Sequence, residues 1–276
     1  MKIALVTDST SDLPDDLVKQ HHVEVVPAIL NLSGQSYEDG KGLTREEFYR
    51  RLPALTAPPT TAAPSVGSFQ KQYDTLFKSG ITNVLSIHAA SALSGIFNAA
   101  RLAAESFGGR VRVIDSEQIT LGLGFQVLAA AEAIARGAIL DEILSIVASV
   151  RQRVRVVALL DTLEYLHRSG RVSWAKAMIG GLLNLKLLVE LRFGIVARLG
   201  QARTHSQGVA HLIEALQSWG PLERLAVLHT NAEAAALRLL TDLTPRLPTP
   251  PLIVNVTTII GAHVGPNGLG FAALPS

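Results

Sequence analysis

Three times in its first half the chain runs from a short apolar stretch, through a polar turn, into a helical segment. This alternation constrains the fold more than any other feature. The apolar stretches are residues 2–7, 84–87 and 110–114. The turns after them carry Asp8-Ser9-Thr10-Ser11-Asp12, Ser91-Ala92-Leu93-Ser94-Gly95 and Asp115-Ser116. Helical segments are expected over 14–21, 94–106 and 122–136. Strands alternating with helices are joined by right-handed crossovers, which gives a parallel sheet covered on both faces. The polar strand ends are then where a ligand is met. At Ser94-Gly95 a hydroxyl and a glycine open a helix whose first N–H groups lack internal partners, a ready site for an anion.

Other signals fill in the first half. Residues 23–32 read as a second strand. Thr44 with Glu47 fits a capping box that starts a short helix to Leu52. Residues 57–65 hold three prolines around Thr60-Thr61, which predicts a stiff, irregular, hydroxyl-bearing loop. Ser65 is expected to cap a helix over 66–78.

Near residue 155 the rhythm changes. A buried strand (154–160) leads into a short helix from Asp161 and a polar loop, His167 to Ser173. A helix over 174–182 follows. The apolar run 185–189 and a strand over 193–199 then read as an antiparallel pair about a turn at Gly194. Helices over 207–218 and 231–243 and strands over 224–229, 252–256 and from Gly270 complete the pattern. The fold class is α/β: an N-terminal parallel-sheet α/β domain over 1–154 and a C-terminal α+β domain over 155–276 with a mainly antiparallel sheet.

Composition removes several function classes. The chain has no cysteine, which excludes disulfides, thiolate chemistry and Cys-ligated zinc. Its eight histidines lack helical ligand spacing: His21 and His22 are adjacent, and His205 and His211 are not four apart. No metal site is expected. The net charge of +2 and the scarcity of aromatic residues give no footprint for nucleic acid. The opening residues read as a strand, not a signal peptide. The longest apolar region, 178–193, is interrupted by Asn184, Lys186, Glu190 and Arg192, so stable membrane insertion is not expected. A cytoplasmic protein is the expectation. Neither a P-loop nor a dinucleotide fingerprint occurs. Gly122-Leu123-Gly124 lacks the third glycine and falls in or at the start of a helix.

Individual residues leave alternatives open. His263 sits among Gly261, Gly265, Pro266, Gly268 and Gly270, which reads as a glycine-rich loop after a strand. Ser94 and His263 could form a nucleophile–base pair with Asp8 or Asp161 as orienting acid, making a serine-dependent acyl hydrolase or transferase. Ser94 lacks the G-x-S-x-G elbow of that chemistry. A small-anion or sugar-phosphate binder on the same strand ends is a third reading. Arg171 and Arg203 lie in polar loops, where each could clamp an anion, dock a partner or simply be solvated.

Taken together and in order, these stretches resemble the DegV family of bacterial fatty-acid-binding proteins. The matching residues are 7–13, 59–65, Leu93-Ser94-Gly95, 113–116, 161–166, Ser169-Gly170-Arg171, 183–186, Ala202-Arg203-Thr204 and 261–266. The resemblance implies a non-enzymatic carrier holding a long-chain fatty acid such as palmitate, stearate or oleate between two domains, with no cofactor. It implies a carboxylate bound by Thr61 and Ser94 and close to His263, with Ala62, Gly95 and Arg171 also about the ligand. It further implies a fatty acid kinase partner facing Arg171 and Arg203, which makes the acyl phosphate. The apolar segment 174–185 and Ile259-Ile260 are candidate walls for the tail, or core. Four positions depart from the family pattern: Ala62 stands for a serine, Ile96 for a threonine, Leu187 for a proline and Asn267 for a glycine.

Overall fold

The computed structural model describes residues 2–172, 185–243 and 247–276. Strand β1 (Ile3–Asp8) is followed by α1 (Asp15–Gln20) and β2 (Val23–Val26). Later come β6 (Asn83–His88), α4 (Ile96–Ala104) and β7 (Val111–Asp115). The four strands form one parallel sheet in the order β2-β1-β6-β7. Alternate residues serve opposite faces, as a pleated strand requires. Ala4, Val6 and Val84 pack with Phe69 and Tyr73 of α3 (Val66–Lys78), whereas Leu5, Leu85 and Ile87 meet α5 (Thr120–Ala135) on the other side. Ser65 caps α3 by accepting the Ser68 N–H at 3.0 Å, and Thr44 caps α2 (Arg45–Arg51) by accepting that of Glu47 at 3.1 Å.

The single strand expected over 23–32 is two strands. Pro27 lacks an N–H and cannot continue a ladder. The chain leaves the parallel sheet there, and β3 (Ile29–Leu32) begins a separate three-stranded antiparallel sheet, β4-β3-β5. β4 is Gln35–Glu38, and β5 is Thr60–Ala62 inside the segment expected to be irregular. The proline count misled there, because Pro58, Pro59 and Pro64 flank the three paired residues. The pairing puts Thr61 opposite Leu30 and Ala62 opposite Ile29.

The C-terminal domain is a six-stranded sheet in the order β10-β9-β8-β13-β11-β12. Its strands are β8 (Arg155–Leu160), β9 (Lys186–Arg192), β10 (Ile195–Ala202), β11 (Leu222–His229), β12 (Leu252–Asn255) and β13 (Leu269–Pro275). Every pairing is antiparallel except β11 with β12. One face carries α8 (His205–Gln217) and α9 (Glu233–Leu243), packed through Val157, Leu159, Val227 and Phe271. Between β8 and β9 lies α7 (Glu164–Ser169). The helix expected over 174–182 falls outside the described residues. Among those described, no helix is long and apolar enough to cross a membrane.

Helix α5 joins the two sheets. All but three of its sixteen residues are buried, and it is apolar all round, as a helix enclosed on every side must be. Together with α6 (Leu140–Arg153) it makes one core that takes in Leu5 and Ile87 from the parallel sheet and Val156, Leu191, Leu228 and Ala272 from the antiparallel one. The two glycines near its start serve packing. A Cβ on Gly122 would lie 2.7 Å from Val156 Cγ2, and one on Gly124 2.8 Å from the Ser11 carbonyl oxygen. This close approach brings the strand ends of the first sheet over one face of the second.

Candidate functional site

A cavity of about 460 Å³ lies between those strand ends and the open face of the antiparallel sheet. That volume falls in the range of small-molecule sites. Its floor follows from register. Leu228, Gly270, Ala158 and Val189 stand opposite one another on four adjacent strands, so all four face the same way. The next row contributes Val156 and Leu191. Small residues at the centre of the first row, flanked by Leu and Val, leave a trough. At Gly270 a Cβ would sit 2.3 Å from the Val157 carbonyl oxygen, so this strand tolerates only glycine there.

The opposite wall comes from three segments. The first is β5 with Thr61 and Ala62, followed by Ala63; the second is the turn after β6, Ser91 to Gly95, with Ile96 at the start of α4; the third is α10 (Thr258–Val264) with Ile259, Ile260 and His263. The expectation that His263 lies in a loop is corrected: it is the penultimate residue of α10. Its glycine neighbours read as loop, but Gly261 is buried helix. A Cβ there would lie 2.4 Å from the Tyr49 hydroxyl, so the glycine lets α10 close onto α2.

Polar groups gather at the exposed rim. Thr61 Oγ1 and His263 Nε2 are 2.8 Å apart. Ser94 Oγ accepts the Ile96 N–H at 3.3 Å, which leaves its own proton available. Gly95 lies beside Ala63, so the Ser94 turn and the Thr61 strand are neighbours. Burial pushes the His263 imidazole down to about 4, and the Arg171 guanidinium adds to this. His263 is therefore neutral near pH 7 and carries one N–H. Arg171 is exposed, lines the cavity and donates from Nη1 to the Ser169 carbonyl at 2.8 Å. Farther in, Thr10, Thr120, His229 and Thr230 line the buried end.

The arrangement offers hydroxyl and imidazole donors at the mouth of an apolar slot. It suits an amphipathic ligand with an anionic head. Among the described residues no hydrogen bond links Ser94, His263 and a carboxylate in the way a hydrolase's nucleophile, base and acid are linked. Asp8 Oδ2 accepts from His88 Nδ1 at 2.9 Å, and Asp161 accepts from Lys186. Neither aspartate orients His263, whose side-chain partner is Thr61. Among the described residues no three His, Asp or Glu side chains gather as a metal site.

A family model for DegV proteins, described as uncharacterised, matches residues 2–276. The chain belongs to the DegV family. A DegV domain-containing protein of Deinococcus radiodurans is 36% identical, over 100% of this chain and 99% of its own length. One from Caldanaerobacter subterraneus is 34% identical, over 98% and 97%. Among solved structures, a fatty-acid-binding DegV family protein of Thermus thermophilus superposes with a TM-score of 0.91 at 35% identity, covering 100% of both chains. DegV of Bacillus subtilis, a fatty acid binding protein, gives 0.89 at 30%, again covering 100% of both.

Within this DegV fold, Thr61, Ala62, Ser94, Gly95, Arg171 and His263 all line the one cavity. Arg203 does not. It is exposed between β10 and α8, where its N–H donates to Gln207 Oε1 at 3.2 Å. Ile259 and Ile260 line the cavity, while most of the 174–185 segment lies outside the described residues. Two departures from the family pattern have physical readings. Asn267 adopts φ 61°, a left-handed conformation that asparagine tolerates better than most residues. Leu187 pairs on both sides, with Leu160 and Gln201, in a strand where proline would remove an N–H.

Sequence reasoning missed a second cluster. Fully buried His88 bridges Asp8 and Ser86, and Ser86 Oγ meets the Tyr73 hydroxyl at 2.8 Å. These residues stand up to 80 positions apart, and only the end-of-strand placement of Asp8 and His88 hinted at the pairing.

Proposed function

We propose that this DegV protein binds one long-chain fatty acid, with its carboxylate at Thr61 and Ser94 and its tail in the cavity. The observation that carries the reading is the joining of an apolar trough to a rim holding Thr61, His263 and Ser94. A carboxylate takes two or three charge-assisted hydrogen bonds. The Ser94 proton, the Thr61–His263 pair and N–H groups near Gly95 can supply them, and Arg171 adds favourable charge. Each methylene moved from water to the trough contributes about 0.8 kcal/mol before ordering costs, so affinity rests chiefly on the tail. The fatty-acid-binding relatives of closely similar fold support the same ligand class.

We read the protein as a cytoplasmic carrier without a cofactor or catalytic residues of its own, its domains dividing at residues 154 and 155. The head group would stay near the surface, because Ser91, Ala92 and Gly95 at the rim are exposed. An exposed carboxylate suits presentation to a fatty acid kinase that forms the acyl phosphate, with Arg171 and Arg203 on the docking side.

Denaturing extraction of purified protein followed by mass spectrometry should release about one long-chain fatty acid per chain. Thr61→Ala and Ser94→Ala should each weaken oleate binding about tenfold with little change in melting temperature, as expected for one lost hydrogen bond to a charged group. A ligand-free protein that also ignores added oleate and palmitate refutes the reading.

A further inference from the structure

The end of β1 and the turn that follows it, residues 8–12, are polar and, apart from half-buried Ser9, almost wholly inaccessible. Asp8, Thr10, Ser11 and Asp12 are each at most 3% exposed. Loops ordinarily run over the surface, because buried polar groups must all find partners. Here the partners of Asp8, Ser9 and Asp12 fall on three different segments, although Asp12 Oδ2 itself is left without a hydrogen bond. Asp8 Oδ2 accepts the Ala89 N–H at 3.1 Å and His88 Nδ1, which fixes the start of the turn that carries Ser94. Ser9 Oγ accepts the Ala28 N–H at 3.1 Å, just before β3, the strand on which Thr61 is paired. Asp12 Oδ1 accepts the Thr257 N–H at 2.8 Å, and Thr257 caps α10, which carries His263.

We propose that this buried turn is the positioning element of the site, with Asp8, Ser9 and Asp12 holding the segments that bring Ser94, Thr61 and His263 to one rim. The inference rests on the fatty-acid reading for what the rim binds, but not for how the rim is assembled. Only Thr10 of the turn lines the cavity, so Asp8, Ser9 and Asp12 act through the residues they hold. Two features show how firmly Asp12 itself is placed. It adopts φ 54°, a conformation that costs a non-glycine residue energy, and Arg45 Nη1 lies 3.1 Å from Oδ1. Helix α5 closes onto the same turn, where a Cβ on Gly124 would lie 2.8 Å from the Ser11 carbonyl oxygen.

The test compares Asp12→Ala with Asp12→Asn in delipidated full-length protein. Asparagine can still accept the Thr257 N–H; alanine cannot. Two signals are read at a temperature where each variant is folded: the His263 imidazole resonances without ligand, and affinity for oleate. Asp12→Ala should shift the His263 resonances and weaken oleate about tenfold, and Asp12→Asn should restore both toward wild type. If both variants merely melt earlier, with His263 and oleate affinity unmoved, the positioning role is wrong. Should Asp12→Ala not fold, Ser9→Ala replaces it, read at the same Thr61–His263 contact: shifted resonances with weaker oleate binding support the role, and unmoved signals overturn it. A wild type that ignores oleate would sink the fatty-acid reading alone, and the His263 resonances would still decide the positioning role.

Discussion

Replacing His263 by glutamine should change how the protein responds to acid. In the folded chain the imidazole is pushed down to about 4 from an ordinary 6.5, first by burial and then by Arg171. Below pH 6.5 the unfolded chain therefore takes up a proton that the folded chain refuses until about pH 4, and stability is lost across that window. At about 1.4 kcal/mol per pH unit the loss amounts to about 3 kcal/mol. Asp12 works in the opposite sense. Burial, helped by Asp39 and opposed by Arg45, pushes its carboxyl up to about 6 from 3.8. The folded chain then holds a proton that the unfolded chain releases, and stability grows as pH falls through the same interval, again by about 3 kcal/mol. In the wild type the two contributions nearly cancel. His263→Gln removes one of them, so its stability relative to wild type should improve by about 3 kcal/mol between pH 7 and pH 4. Asp12→Asn should move against wild type by a similar amount over the same range. The assay is urea unfolding of delipidated protein at pH 7, 5.5 and 4, read as the difference between variant and wild type so that every shared carboxylate drops out. A difference for His263→Gln that stays constant with pH would refute the reasoning, because it would mean that the folded chain accepts the proton as readily as the unfolded one.

Two further outcomes follow from the cavity. Arg171→Ala should raise the His263 pKa from about 4 by removing the nearby cation, an effect visible in an NMR titration of the imidazole; an unchanged or lower value would show that burial alone holds it down. Ala158→Phe should fill the trough opposite Gly270 and shift the extracted lipids toward shorter chains, whereas an unaltered chain-length distribution would place the tail elsewhere.

Much of the fold was legible because its signals are local. A pleated strand repeats every two residues and a cap needs only a neighbour three positions on, so the parallel strands, the Thr44 and Ser65 caps and the change of rhythm near residue 155 could be read directly. Local reading failed where one residue type serves two purposes. Glycines at 261 and 265 imply a loop, yet Gly261 is helical, and the position is glycine because Tyr49 fills the space a side chain would take. Prolines around Thr60 imply irregular chain, yet three residues between them find a partner strand in β3. The family resemblance named Thr61, Ser94 and His263; composition and spacing alone left Ser94 a generic anion site and His263 a loop residue.

By itself the sequence determined that the chain builds a parallel α/β layer and a second, mainly antiparallel one, and that hydroxyls stand at strand ends. Only the tertiary structure decided what those hydroxyls do. β13, last in the chain, inserts between β8 and β11, and this places Gly270 beside Ala158 to open the trough. Asp8 reaches His88 across 80 residues and Asp12 reaches Thr257 across 245. Such contacts have no periodicity to read, because they depend on which surfaces meet once the apolar faces are buried. The same burial that joins the two sheets through α5 sets the Thr61–His263 pair at the mouth of the cavity, and it is also what keeps that histidine neutral.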